Sequence, residues 1–385
     1  MRSLAIFVVI LLIIVGAAAV FLVATTPRQS TPVHVTPALI QDVPASADEF
    51  AIIPSAAAFD AKLTANPITR AALEKWRAQH PLPRPWMIGG ADLLVWKSGG
   101  TTRYFVRLDP FRAFIVRIFG HAQLLAPPEE QRIDSASAAQ IVDLASRLPA
   151  GDALVVQRES ARGAYPPIAR PAVTAVSVTP SEIRLVSVGA AVPGGPAART
   201  AAAPPKFPRG AVLSVNYTSP PRAVTELDRL FGTKMSTLFD DGGTLCVYDV
   251  DVRKLLPRPL GVFVLPDDPR RRAVVDSLHD LVRTGQKDGM LLLSFDHSID
   301  QYQKDVFDEP AAGNQWNVRI DPSRMVPILN SLGDNLGLRI LAPRLFRSAR
   351  DLDQWIGGLE QAKVIEASDS ADSHGETLQV RIAAK

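Results

Sequence analysis

The segment Leu4–Val23, LAIFVVILLIIVGAAAVFLV, runs for twenty residues without a charge. That is the length an α-helix needs to cross about 30 Å of hydrocarbon at about 1.5 Å per residue. It predicts a single-pass signal-anchor over residues 1–23, because no other window approaches 18 consecutive apolar residues. Arg2 and the α-amino group precede the run, and Arg28 is the only basic residue other than His34 between Val23 and Lys62. The positive-inside tendency then puts the body on the extracytoplasmic, periplasmic side of the cytoplasmic (inner) membrane. A cleaved signal peptide is the rival reading, with Gly16 to Ala19 as the small-residue site. Val20 to Val23 continue the apolar run past that site, which favours the anchor. No cysteine stands near its end for lipidation.

Beyond the run, residues 24–46 carry Pro27, Pro32, Pro37 and Pro44, which fix φ and remove donors, and they read as an extended tether. Residues 190–208, AAVPGGPAARTAAAPPKFP, interrupt the periodic hydrophobics a second time and read as a linker. This leaves domains at 47–189 and 209–385, in keeping with two or three domains for 385 residues.

The two halves share a plan of strand, helix, Gly-Gly, strand, strand. In the first half a strand at Phe50–Ile53 precedes a helix opened by Asn66 and Pro67. Gly89 and Gly90 follow, then strands at Ala91–Trp96 and Arg103–Leu108. The second half has a strand at Ala211–Asn216, a helix bearing Val224, Leu227, Leu230 and Phe231, the pair Gly242 and Gly243, and strands at Thr244–Val250 and Leu260–Leu265. Further helices are predicted from Ser137, from Asp268–Pro269 as far as Gly285, from Asp321–Pro322 and from Ser348. A hairpin is predicted around Pro180–Ser181, and two strands finish the chain. The expected class is α+β: an N-terminal transmembrane helix, then two related halves of antiparallel sheet with helices packed on one face.

The stretch PASADEFAIIPSAAAFDAKLTANPITRAALEKW, together with the apolar run and the duplicated plan, resembles a group of uncharacterised, single-pass bacterial envelope proteins classed as domains of unknown function. The resemblance covers about residues 1 to 120 by pattern, without a diagnostic motif. It implies location in the envelope and transfers no catalytic residue.

Chemistry leaves fewer marks. The motifs G-x-x-x-x-G-K-[ST], G-x-G-x-x-G, G-x-S-x-G, H-E-x-x-H and C-x-x-C are all absent, so no cofactor and no metal is expected. The six histidines are scattered. A net charge of +3 with no basic tail argues against nucleic acid, and Arg270–Arg272 read as a solvated run compensated by Asp267 and Asp268. Cys246, the one cysteine, reads as a buried strand residue. Two acidic groups are singled out. Asp249 and Asp251, beside Asp240 and Asp241, sit two apart and would share a strand face that could hold a cation. Asp296, His297 and Asp300 have the residue types for acid–base work. The bland reading of both is a turn or a strand edge. The five tryptophans could line a groove, although Trp76 and Trp355 fall on apolar helix faces. The functional expectation is a non-catalytic membrane-anchored envelope protein with a binding or scaffolding role. Its partners would be the membrane, through Leu4–Val23, and a protein, peptide or lipidic ligand. The alternative is an enzyme with a site assembled from distant residues around Asp249, Asp251, Asp296 and His297.

Overall fold

Short, nearly unbroken apolar runs such as Leu93–Trp96, Val262–Leu265 and Met290–Leu293 leave no polar face for a strand to show to water. Strands of this kind must be covered on both sides. A computed structural model describes residues 40–79, 85–125, 131–158, 170–189, 207–218, 235–239, 242–253, 257–278, 281–308, 316–333, 358–372 and 375–385. The chain divides into two compact units, Met1–Ala190 and Ala191–Lys385.

The first unit holds β1 (Glu49–Ile53), β2 (Leu93–Ser98), β3 (Thr101–Val106), β4 (Ala153–Gln157), β5 (Ala172–Thr179) and β6 (Glu182–Gly189). They lie in the order β3-β2-β1-β4-β5-β6, each pair antiparallel. Ile52 stands opposite both Leu94 and Leu154, so the first strand is the centre of its ladder. On one face Phe50, Ile52, Leu94, Trp96, Val156 and Val173 pack with Ile141, Leu144 and Leu148 of the helix Ser135–Ser146 and its exit turn. On the other face Leu93 and Val106 pack with Ile88, backed by Ile53, Val95 and Tyr104. Ile40 and Val43 are fully buried in the first of these cores, and Ile133 N donates to Val43 O (3.0 Å). The last residues of the Pro-rich stretch are therefore core residues.

The second unit holds β8 (Leu213–Tyr217), β9 (Gly243–Asp251), β10 (Arg258–Pro266), β11 (Arg283–Lys287), β12 (Met290–Ser294), β14 (Trp316–Ile320), β15 (Ala362–Asp372) and β16 (Gly375–Ala384). A small separate ladder pairs β7 (Phe207–Pro208) with β13 (Phe307–Asp308). The main order is β11-β12-β10-β9-β8-β14-β15-β16, again antiparallel throughout. Its six members from β10 to β16 repeat the strand order of the first unit, and the hairpin β11–β12 is added beyond β10. Leu265, Leu291 and Leu293 pack with Val275 and Leu278 on one face. Val262, Val264 and Leu292 pack with Ile299 and Tyr302 on the opposite one.

Several expectations are corrected. The α+β arrangement with helices on one face gives way to mostly antiparallel sheet, fourteen strands in the main ladders with few helices among the described residues. Those helices cover both faces, because both side-chain parities of the strands are apolar. No described helix is long and apolar enough to cross a membrane, so the transmembrane helix finds no support here. The run Leu4–Val23 that suggested it lies outside the described residues. The helix opened by Asp268 stops at Ser277 instead of reaching Gly285. Gly285 is instead in β11, which turns into β12 through Asp288 (φ 53°) and Gly289 (φ 74°). Two consecutive positive φ values are what a two-residue hairpin with the right strand twist demands, and Asp-Gly meets them. Within Arg270–Arg272, Arg271 is buried. Its guanidinium donates to Leu238 O (2.9 Å), to Pro266 O and to Asp268, while Arg272 pairs with Asp267 at the surface.

Leu144 is buried in the core between helix and sheet, and its truncation leaves a cavity there. Leu144→Ala is expected to lower stability by about 2–5 kcal/mol, read as a shift in the denaturant midpoint.

Candidate functional site

Three of the carboxylates singled out by the sequence, Asp249, Asp251 and Asp296, accept from backbone N–H groups. β9 and β10 slip register between Leu260 and Gly261, so that Asp249 and Val247 oppose neighbouring residues and Tyr248 is extra. A Cβ at Gly261 would come within 2.4 Å of Cys246 O, which explains glycine there. Asp296 serves the same place from the next strand: its Oδ2 accepts from Gly261 N (3.1 Å) and its Oδ1 from Ser298 N (2.6 Å). Ser294 Oγ donates to Gly261 O (2.7 Å). Asp296 thus holds the turn between β12 and the helix Ser298–Lys304, and its carboxylate is occupied. His297 is exposed, with Nδ1 2.8 Å from Arg283 Nη1. A guanidinium only donates, so Nδ1 is the acceptor in this contact. Asp300 is exposed in the first turn of that helix. Asp249 accepts from Val250 N (2.7 Å) and Asp251 from Arg253 N (3.2 Å) as β9 ends in a turn.

The fold thus brings Asp296 to the β9–β10 irregularity, where the hydroxyl beside it, Ser294 Oγ (3.1 Å from Oδ1), is buried and held by Gly261 O. Asp240 and Asp241 lie outside the described residues, as do Trp355 and the histidines at 34, 80, 279 and 374. Among the described residues no group of three or more His, Cys, Asp or Glu side chains could hold a metal ion. Trp96 is buried and Trp316 donates from Nε1 to Asp369 Oδ2 (2.9 Å), so each is used within its sheet.

Two further clusters have structural uses. Cys246 is fully buried, and burial pushes its thiol up to about 12, with a hydrogen bond from Ser214 opposing and the charge of Asp305 adding to the rise. A thiol of this kind stays protonated near neutrality and is no nucleophile. Tyr248 Oη donates to Asp305 Oδ2 (3.2 Å), which also accepts from Gly210 N (2.8 Å). Asp308 lies between Arg209 (2.6 Å) and Arg319. Burial acts to raise its carboxyl, but hydrogen bonds and charge from the two arginines outweigh burial and hold it below the ordinary carboxylate value.

A different feature stands out at the surface. Asp109 accepts from Phe111 N and Arg112 N, both at 3.0 Å, and Pro110 follows at the first helical position. The helix Pro110–Ile118 that they open ends where Gly120 takes φ 80° and His121 N reaches Val116 O (3.0 Å). Phe111 is 42% exposed, Phe114 58%, Ile118 61% and Phe119 54%, whereas Val116 on the opposite side is 1% exposed. Residues 111, 114 and 118 share one helical face. An ordinary surface helix turns its apolar stripe to the core. Here the larger aromatic stripe is outside. Arg112 folds under the helix against Gly89, and Arg117 stands exposed beside the stripe. The spacing Asp109-Pro110 with apolar residues at 111, 114 and 118 was visible in the sequence, but the same pattern usually marks a core face.

Comparison of the chain with protein-family models, with curated proteins and with solved structures finds no match in any of the three.

Asp296→Ala removes the acceptor for Gly261 N and Ser298 N and is expected to cost about 1–3 kcal/mol in unfolding, while Asp249→Ala is expected to change stability by less than about 0.5 kcal/mol. Asp308 is depressed in the folded chain, so its stabilising contribution is complete above the unfolded carboxylate value and is lost as pH falls through the lowered folded value. Urea unfolding followed from neutral pH into the acid range should show this loss, and Asp308→Asn should flatten that part of the curve.

Proposed function

We propose that this chain is a non-catalytic protein of the bacterial envelope with a binding or scaffolding role, kept near the cytoplasmic membrane with its folded body on the extracytoplasmic side. The observation that carries the binding role is the outward aromatic stripe of Phe111, Phe114, Ile118 and Phe119. Exposed large apolar side chains in a contiguous group mark interaction sites more often than chance surface composition does. The uncharged run Leu4–Val23 supports the membrane-proximal location. The uses found for Asp249, Asp251, Asp296 and His297 in turns and one surface hydrogen bond weigh toward binding over the enzymatic alternative.

A photo-crosslinking amino acid at position 114, activated in intact cells, tests the role. A discrete crosslinked species, protein or lipid, is expected at 114 and not at the exposed Gln301 of the helix Ser298–Lys304. Equal diffuse labelling at both positions would overturn the binding role.

A further inference from the structure

We infer that the aromatic face of the helix Pro110–Ile118 docks in the headgroup layer of an anionic lipid surface. This rests on the binding role proposed above and names the partner. Phenylalanine and isoleucine on one face of a short helix, with arginine at its border, is the composition of helices that lie in a membrane interface plane. The surrounding chain supplies complementary charge. Residues 101–119 carry Arg103, Arg107, Arg112 and Arg117 against Asp109 alone. Asp42 takes up Arg107, and Arg112 is turned beneath the helix, while Arg117 is exposed beside the stripe. Arginine side chains beside an anionic leaflet are attracted to it within a Debye length.

A second copy of the chain fits less well. A two-fold interface through this stripe would bring together two copies of the same arginine-bordered face, where like charges oppose association. The stripe also lies on a convex single helix and not in a groove, which suits a fluid surface that can close around it.

The test uses the full chain reconstituted in vesicles of phosphatidylcholine with phosphatidylglycerol, and in phosphatidylcholine alone. Phe114→Cys carries an environment-sensitive fluorophore, which the buried Cys246 leaves as the accessible label. Lipids bearing a quencher near the headgroup are expected to quench the label at 114 in the anionic vesicles, more weakly in the neutral ones, and less at high salt. The same label on Gln301→Cys should be quenched little. Ile118→Asp added to the labelled chain is expected to reduce the quenching about tenfold, while circular dichroism stays that of the parent because Ile118 is exposed. Three results would overturn the inference: no quenching at 114, equal quenching at 301, or a spectral shift that follows protein density and not lipid charge, which would assign the stripe to a second copy. A discrete protein crosslink at 114 together with absent quenching would remove the lipid partner and leave the binding role intact. Absence of both would remove the two together.

Discussion

Each unit depends on the first strand of its main ladder, which is hydrogen-bonded along both edges. β1 is paired by β2 on one side and β4 on the other, and β8 by β9 and β14. The partners on the second side are about a hundred residues away along the chain, as Ile52 and Leu154 show. Bringing them together costs loop-closure entropy that local contacts cannot repay. The repayment comes from burial on both faces of the ladder. Phe50, Ile52 and Trp96 are covered on one side by the helix Ser135–Ser146, and Leu93 and Val106 by Ile88 on the other. The helices are thus covers for sheet, and their number and length follow from how much strand surface remains apolar.

The recurring strand order suggests why the second unit can carry an added hairpin without disturbing the rest. β11 and β12 join at the outer side of β10, where a further antiparallel pair completes a ladder and leaves the inner register unchanged. The new edge is blunted by its residues, Arg283 to Lys287, which are short, polar and charged at both ends. Edges of this composition resist pairing with other chains. Asp296 belongs to the same adjustment: it satisfies Gly261 N where β10 slips against β9.

Function, on this reading, is separated from the sheets. The ladders are consumed in their own packing, and the polar groups near them serve turns and registers. Apart from them stands the outward stripe on the helix Pro110–Ile118, whose buried residue is Val116. Burying four large apolar groups elsewhere would raise stability, so leaving them in water is a cost that a partner would offset.

By itself the sequence located β1, β2, β3, β5, β6, β8, β9, β10, β15 and β16, because two-residue periodicity and Gly and Pro punctuation are local properties, but it left β4, β11, β12 and β14 unassigned. It also located Asn66 as a helix cap, and its Oδ1 accepts from Ile68 N (2.9 Å). The sequence could not say that Leu93 and Leu94 are both buried, on opposite faces, since that depends on which helices pack over each side. Nor could it separate Arg271 from Arg270 and Arg272, as one residue's burial rests on a carbonyl 33 positions earlier. The Asp288-Gly289 hairpin was locally legible, but a helical pattern of valines and leucines ran up to it and masked the turn. Only the tertiary structure decided that Phe111, Phe114 and Ile118 face outward. A helix shows the same periodicity whichever side it packs, and the side is chosen by the rest of the fold.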